Sequence, residues 1–195
     1  MEFVVYVLKM VVLVAATLIN GRLMCYFMRK RKFQFKPQIV CAILGAVTVL
    51  LCLCGGFSLW TVKGIVFALI LMYASVQDIS THEADDFLWV MLAILSLVDV
   101  HDIASTIFGA LAVFLPQMFV AVFLKKGGIG GADIKLSTAA ALSLGFYGGV
   151  IGHCLGLLFA VTAQLLRYRK NKQKRGEPFA LLPYLSAGLM IGYFI

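Results

Sequence analysis

Apolar residues run in long stretches along this chain, and polar residues fall between them in short clusters. Eight stretches stand out, at Phe3–Phe27, Ile39–Leu59, Gly64–Val76, Phe87–Val100, Ile103–Leu124, Ile134–Phe146, Gly149–Leu166 and Phe179–Ile195. A helix that spans a bilayer takes about 20 apolar residues, with a range of about 17–25. The third, fourth and sixth stretches are short, but can extend through polar flanks that protein covers or that line a wet cavity. The pattern predicts an all-α polytopic membrane protein with about eight transmembrane helices, forming a single membrane domain over residues 1–195. Two polar linkers of any length interrupt it, at Met28–Gln38 and Arg167–Pro178, and no internal repeat or low-complexity tract appears.

Composition strengthens this picture. Of 195 residues, 62% are hydrophobic and 13% charged, and the mean hydropathy is +0.98. Soluble domains run at about 45–50% apolar and about 25% charged, so this chain has more apolar surface than one water-soluble core can hide. That excludes a soluble enzyme or a nucleic-acid-binding module. The net charge of +8 is then a matter of topology, because cytoplasmic loops collect Lys and Arg. With the N-terminus outside, the cytoplasmic side receives Arg22, Arg29, Lys30, Arg31, Lys32 and Lys36, then Lys125, Lys126 and Lys135, then Arg167, Arg169, Lys170, Lys172, Lys174 and Arg175. Only Lys9 and Lys63 are left for the other side. Eight alternating spans put both termini outside. The first stretch reads as a retained anchor rather than a cleavable signal, since its start is acidic and no A-x-A site follows. The five cysteines form no C-x-x-C pair, so neither a zinc knuckle nor a disulfide framework is indicated.

The scarce acidic residues carry the candidate chemistry. Asp99 and Asp102 mark an outside turn, and Glu177 sits in a basic loop. Asp78 instead ends the third stretch and Asp133 opens the sixth, both on the predicted cytoplasmic side. An ionisable group at the edge of the hydrocarbon is a functional-site hypothesis by default. Two carboxylates at one depth cannot both ionise at close range, so they share a proton. One can act as base on a water while the other polarises a carbonyl, a mechanism that requires no metal. Gly127-Gly-Ile-Gly-Gly-Ala, just before Asp133, would let backbone approach a substrate strand and adopt positive φ. Helix capping would account equally well for Asp133 alone, and a membrane-edge polar residue for Asp78 alone. A proton-coupled small membrane transporter could use the same two carboxylates. An assembly or scaffold protein would need neither.

Gly130-Gly-Ala-Asp-Ile-Lys-Leu136 resembles the Gly-x-Gly-Asp signature of intramembrane aspartic proteases, in the form found in type IV prepilin peptidases. Gln77-Asp-Ile-Ser-Thr-His-Glu-Ala-Asp-Asp-Phe-Leu88 resembles the segment with that family's first aspartate. Glu177-Pro-Phe-Ala-Leu-Leu-Pro-Tyr-Leu-Ser-Ala-Gly188 is similar to the start of its last helix. The resemblance covers Gly64 to Ile195, and Asn20-Gly-Arg22 offers a weak further match. It implies that Asp78 and Asp133 are the catalytic pair, with Gly130, Gly131 and Ala132 beside the substrate. The implied substrate is a prepilin-like membrane protein with a short basic leader, a glycine before the cut, and a long apolar helix in the lipid bilayer. Glu83, Asp85 and Asp86 could attract that leader, although a solvated acidic loop explains them as well. Three departures stand out. Ala132 replaces the second glycine, Ala84-Asp85 replaces an Ile-Pro, and 28–38 occupies the place of an inserted domain with paired C-x-x-C motifs. The chain therefore resembles the short, peptidase-only form, and no methyltransferase activity is expected.

Other polar residues are assigned plainer roles. His153, Gln117 and Gln164 are expected to hydrogen-bond between helices, and His82 to be an exposed loop residue. Gly148-x-x-x-Gly152-x-x-x-Gly156 suits close packing, within the fold or in a dimer. The basic runs Arg29–Lys32 and Lys170–Arg175 could contact anionic headgroups.

Overall fold

The computed structural model describes residues 2–99, 102–124, 130–169 and 179–195. Among them the chain is all α-helical: α1 (Glu2–Lys30), α2 (Pro37–Gly55), α3 (Leu59–Thr81), α4 (Asp86–Leu95), α5 (Ile103–Phe119), α6 (Gly131–Arg169) and α7 (Leu182–Gly192). Among the described residues five segments are long and apolar enough to cross a membrane: Val4–Lys30, Pro37–Gly55, Leu59–Thr81, Ile103–Phe123 and Gly131–Arg169. Asp86–Leu95 and Leu182–Gly192 are apolar but shorter. The chain is thus a membrane protein by composition and helix length.

The sixth and seventh predicted stretches meet in α6, which is a helical hairpin rather than a rod. Its break is Gly145, at φ 74° and ψ −171°, a conformation that glycine adopts without the steric penalty of a Cβ. A Cβ built on Gly149 would lie 2.9 Å from the Cβ of Ala141, whereas positions eight apart on a straight helix are separated by about 12 Å. The two arms therefore run back along each other. Gly109 of α5 packs against the turn, its virtual Cβ 2.5 Å from the Gly145 carbonyl. The hydroxyl of Ser105 accepts from the N–H of Phe146 at 3.0 Å, satisfying a backbone donor that the break leaves free.

The glycine stripe of the second arm is filled from within the chain. Virtual Cβ atoms on Gly148 and Gly156 would lie 2.6 Å from the Gly192 carbonyl and 2.7 Å from Leu185 Cα, and one on Gly152 would lie 3.0 Å from the Gly188 carbonyl. The face that could have served a dimer is thus covered by α7. Backbone contact of this closeness is how helices associate where lipid supplies no hydrophobic drive.

One core cluster joins Leu71 and Ala74 of α3, Leu88 and Leu92 of α4, Leu136 and Ala140 of the first α6 arm, and Leu182, Leu185 and Leu189 of α7. A second ties Cys25 and Met28 of α1 to Val40 and Leu44 of α2 and Val76 of α3. Cys25 and Cys52 are buried thiols, while Cys54 and Cys154 face outward, and none is bonded. Gln117 does bridge helices, donating from Nε2 to Ser137 at 2.9 Å. The expectation for His153 and Gln164 is not met: His153 Nδ1 and Gln164 Oε1 are buried with no partner among the described residues.

Candidate functional site

α3 is started by Ser58, whose hydroxyl accepts from the N–H of Thr61 at 3.3 Å, the usual N-cap arrangement. It is stopped by His82, in the left-handed conformation at φ 54°, with its N–H on the Asp78 carbonyl at 2.9 Å. This αL termination turns the chain sharply, and α4 begins four residues later at Asp86. Asp78 therefore lies one turn inside α3 rather than in the loop. Its side chain is buried, the residue being 6% exposed.

A buried carboxylate needs donors, and α7 supplies them. Asp78 Oδ2 accepts the backbone N–H of Leu182 at 2.8 Å, and the N–H of Leu181 also points to this carboxylate. These are the free donors of a helix start, where an anion is favoured. Pro183, in the first turn of α7, has no N–H to satisfy. The last helix is thus docked by its N-terminus onto Asp78.

Asp133 lies in the first turn of α6. It is not the N-cap residue itself: the helix begins at Gly131, and the Asp133 carboxylate reaches back to accept the N–H of Gly130. That is the reciprocal half of a capping box. Its carboxylate lies within electrostatic reach of Asp78, although the two aspartates are 55 positions apart in the sequence. Below them lies the apolar cluster of Leu71, Leu136 and Leu182. From the inner side, the hydroxyl of Ser137 donates to the Asp133 carbonyl at 2.7 Å and accepts from Gln117. Gln117 follows Pro116 inside α5, just before the chain widens into a π turn over Val120–Leu124.

The glycines do their work by closeness. Gly127 and Gly128 lie outside the described residues. Gly131 is helical and its φ is not positive. A Cβ on Gly130 would sit 2.8 Å from Asp133 Oδ2, whereas one on Gly131 would meet nothing within 4 Å. Ala132 is in helical conformation, where alanine is favoured over glycine by about 1 kcal/mol, so its departure from the signature costs no backbone strain. Gly130→Ala should displace the Asp133 carboxylate and lower turnover about tenfold or more, whereas Gly131→Ala should leave it unchanged. Turnover of a membrane-embedded substrate, normalised to folded protein, distinguishes the two.

The acidic loop is partly spoken for by the chain itself. Asp85 pairs with Arg31 at 2.5 Å and Asp86 with Lys135 at 2.8 Å. The ammonium beside Asp86 holds its carboxyl below the usual range. Asp85 is fixed further by its backbone N–H, which donates to Oε1 of buried Gln77 at 3.3 Å. Glu83 is exposed. These bonds draw residues 31–34 over the loop between α3 and α4, where the N–H of Gln34 also donates to the Ser80 hydroxyl at 3.2 Å. One element of the site has no mark in side-chain polarity, the start of α7, which acts through backbone N–H groups. Gln77 and Ser137 are polar, but polarity alone assigns them no role beside the aspartates, and Gln117 is expected only to bridge helices. Among the described residues no group of three His, Cys, Asp or Glu side chains could hold a metal ion.

The chain is an all-helical membrane protein with two carboxylates in electrostatic reach of each other, one docked on a helix N-terminus and the other at a glycine-flanked helix start. The family model of the type IV leader peptidase family matches residues 65–168, just over half of the chain and both aspartates. The chain belongs to that family and is a leader peptidase-like protease. Comparison with curated proteins and with solved structures gives no match.

Proposed function

We propose that the protein is an aspartic endopeptidase that removes the short basic leader from type IV prepilin-like substrates at the cytoplasmic face of the bacterial inner membrane. The observation that supports this reading is that Asp78 and Asp133 lie within electrostatic reach of each other in a chain that the leader peptidase family model matches. The pair shares one proton. The ionised aspartate takes a proton from a water held between the two, and the water oxygen bonds to the scissile carbonyl carbon. The protonated aspartate gives its proton to the carbonyl oxygen. Collapse of the tetrahedral species breaks the C–N bond, and the leaving nitrogen receives a proton from the pair. The titration belongs to the dyad rather than to either residue, so the rate should follow a bell-shaped pH profile.

The reading includes eight crossings, the α6 hairpin supplying two of them, with both termini on the outer side and the aspartates facing the cytoplasm. The short 28–38 linker goes with peptidase activity alone, without N-methylation. Co-expression with a candidate prepilin tests the function: a mass loss equal to the leader, and no methyl increment, is the expected result. An unprocessed substrate in the presence of folded protein overturns it, and proton-driven solute uptake by proteoliposomes would point to a transporter instead.

Glu83, Asp85 and Asp86 are proposed to receive the leader's basic residues, which must displace Arg31 and Lys135 to do so. Exposed ion pairs contribute little because water screens them, so such an exchange is accessible. Converting all three acids to lysine should raise KM for a basic-leader substrate severalfold relative to one with a neutral leader. Equal KM changes for the two substrates would remove the acidic loop from recognition.

A further inference from the structure

Away from the two aspartates, a trough of about 650 Å³ runs between α2, α3 and α7. α3 forms its floor, and α2 and α7 stand apart on either side. On α3 its wall extends from Ala68 to Ile79, a length of about 16 Å along the helix axis. That is half of a hydrocarbon core about 30 Å thick, the depth of one leaflet. The lining is apolar throughout this length. Its two inner hydroxyls are satisfied within the protein: Ser75 donates to the Leu71 carbonyl at 2.7 Å and bonds Ser186 at 2.9 Å. Nothing along this stretch asks a polar group of its occupant.

The Asp78 end is different. There the trough opens between Gln34 and Lys36, both exposed, and Lys36 is its one charged lining residue among the described residues. It precedes Pro37 at the start of α2, a helix start that no side chain caps. The walls include Ile39, Ile43, Leu50 and Ile191, all more than 40% exposed, so the trough is open sideways to the bilayer. An occupant that enters from the side must already be in the membrane. It must be apolar for one leaflet's depth and can be anionic at the interface.

We propose that this trough is a binding site for an anionic glycerophospholipid, with one acyl chain laid along α3 between α2 and α7 and the phosphate against Lys36. The length of the trough matches a chain in a single leaflet, and the position of Lys36 matches a headgroup. A chain laid in the trough makes dispersion contacts with α2, α3 and α7 together. The site is independent of the hydrolytic chemistry assigned to the aspartates.

The test uses the full chain in nanodiscs of equimolar phosphatidylglycerol and phosphatidylcholine, extracted into detergent and weighed by native mass spectrometry. One retained lipid per chain is expected, with phosphatidylglycerol favoured about fivefold, the factor that one basic residue near an anionic surface supplies. Lys36→Gln should abolish the preference but leave a lipid bound, because only the headgroup contact is lost. Ala187→Trp, at an exposed trough position on α7, should abolish retention without unfolding the protein, as judged by its melting curve. Absence of retained lipid in the wild type overturns the proposal, as does a preference that survives Lys36→Gln. So does retention that survives Ala187→Trp; if that variant instead raises KM for substrates with a membrane helix, the trough belongs to the substrate.

Discussion

Replacing Asp78 or Asp133 with asparagine is expected to abolish leader removal while the protein still accumulates in the membrane. Both substitutions keep the shape of the side chain and a carbonyl oxygen. In Asp78→Asn the amide oxygen can still accept from the N–H of Leu182, so the dock between α3 and α7 survives. In Asp133→Asn it can still accept from the N–H of Gly130, so the first turn of α6 survives. What disappears is the ability to carry and exchange a proton, which in positioned acid–base catalysis is worth about 10²–10⁴ in rate. The two single variants and the double variant should be comparably inactive, because a dyad that shares one proton acts as a unit. Mass spectrometry of a co-expressed substrate measures processing, and gel filtration of the solubilised enzyme measures folded protein. Full activity in either single variant would remove the dyad from the mechanism.

The largest effect on stability is expected at Gly188. A Cβ there would fall on the Gly156 amide nitrogen and the Gly152 carbonyl oxygen. These are backbone atoms of the second α6 arm, which cannot rotate away as a side chain could. Gly188→Leu should therefore cost about 3 kcal/mol, the upper part of the range for overpacking, and push α7 off the hairpin. Because α7 also brings the Leu182 N–H to Asp78, activity should fall with stability. Ala187→Leu is the matched control, since Ala187 is exposed on the same helix. Thermal melting in detergent should show a large drop for the first and little change for the second. Equal melting temperatures would mean that α7 does not rely on this contact.

Much of the site was legible in the sequence because charge inside apolar stretches is rare. Asp78 and Asp133 are conspicuous against their surroundings, and the glycines before Asp133 point to close approach. What could not be read is which donors meet the carboxylates. The Asp78 partner is a backbone N–H, and every residue except proline carries one, so Leu182 has no distinguishing mark. Arg31 and Lys135 read as topology markers in the count of basic residues, yet they also pair with Asp85 and Asp86. His153 shows the opposite difficulty, since an intramembrane histidine suggests a hydrogen bond that the structure does not provide at Nδ1.

By itself the sequence determined the solvent and the class of fold. Apolar runs of this length must lie in lipid, and there backbone groups have to bond within helices. It also determined that a break falls close to Gly145: no charge marks the position, but the sixth and seventh stretches divide beside it. Tertiary structure alone decided that the α6 arms fold back on each other, that α7 covers the glycine stripe, and that Asp78 and Asp133 come within electrostatic reach of each other. Such contacts join residues tens of positions apart, and they depend on which small residues allow two backbones to touch. Periodicity describes the faces of a helix, but the choice of neighbour belongs to shape complementarity in three dimensions.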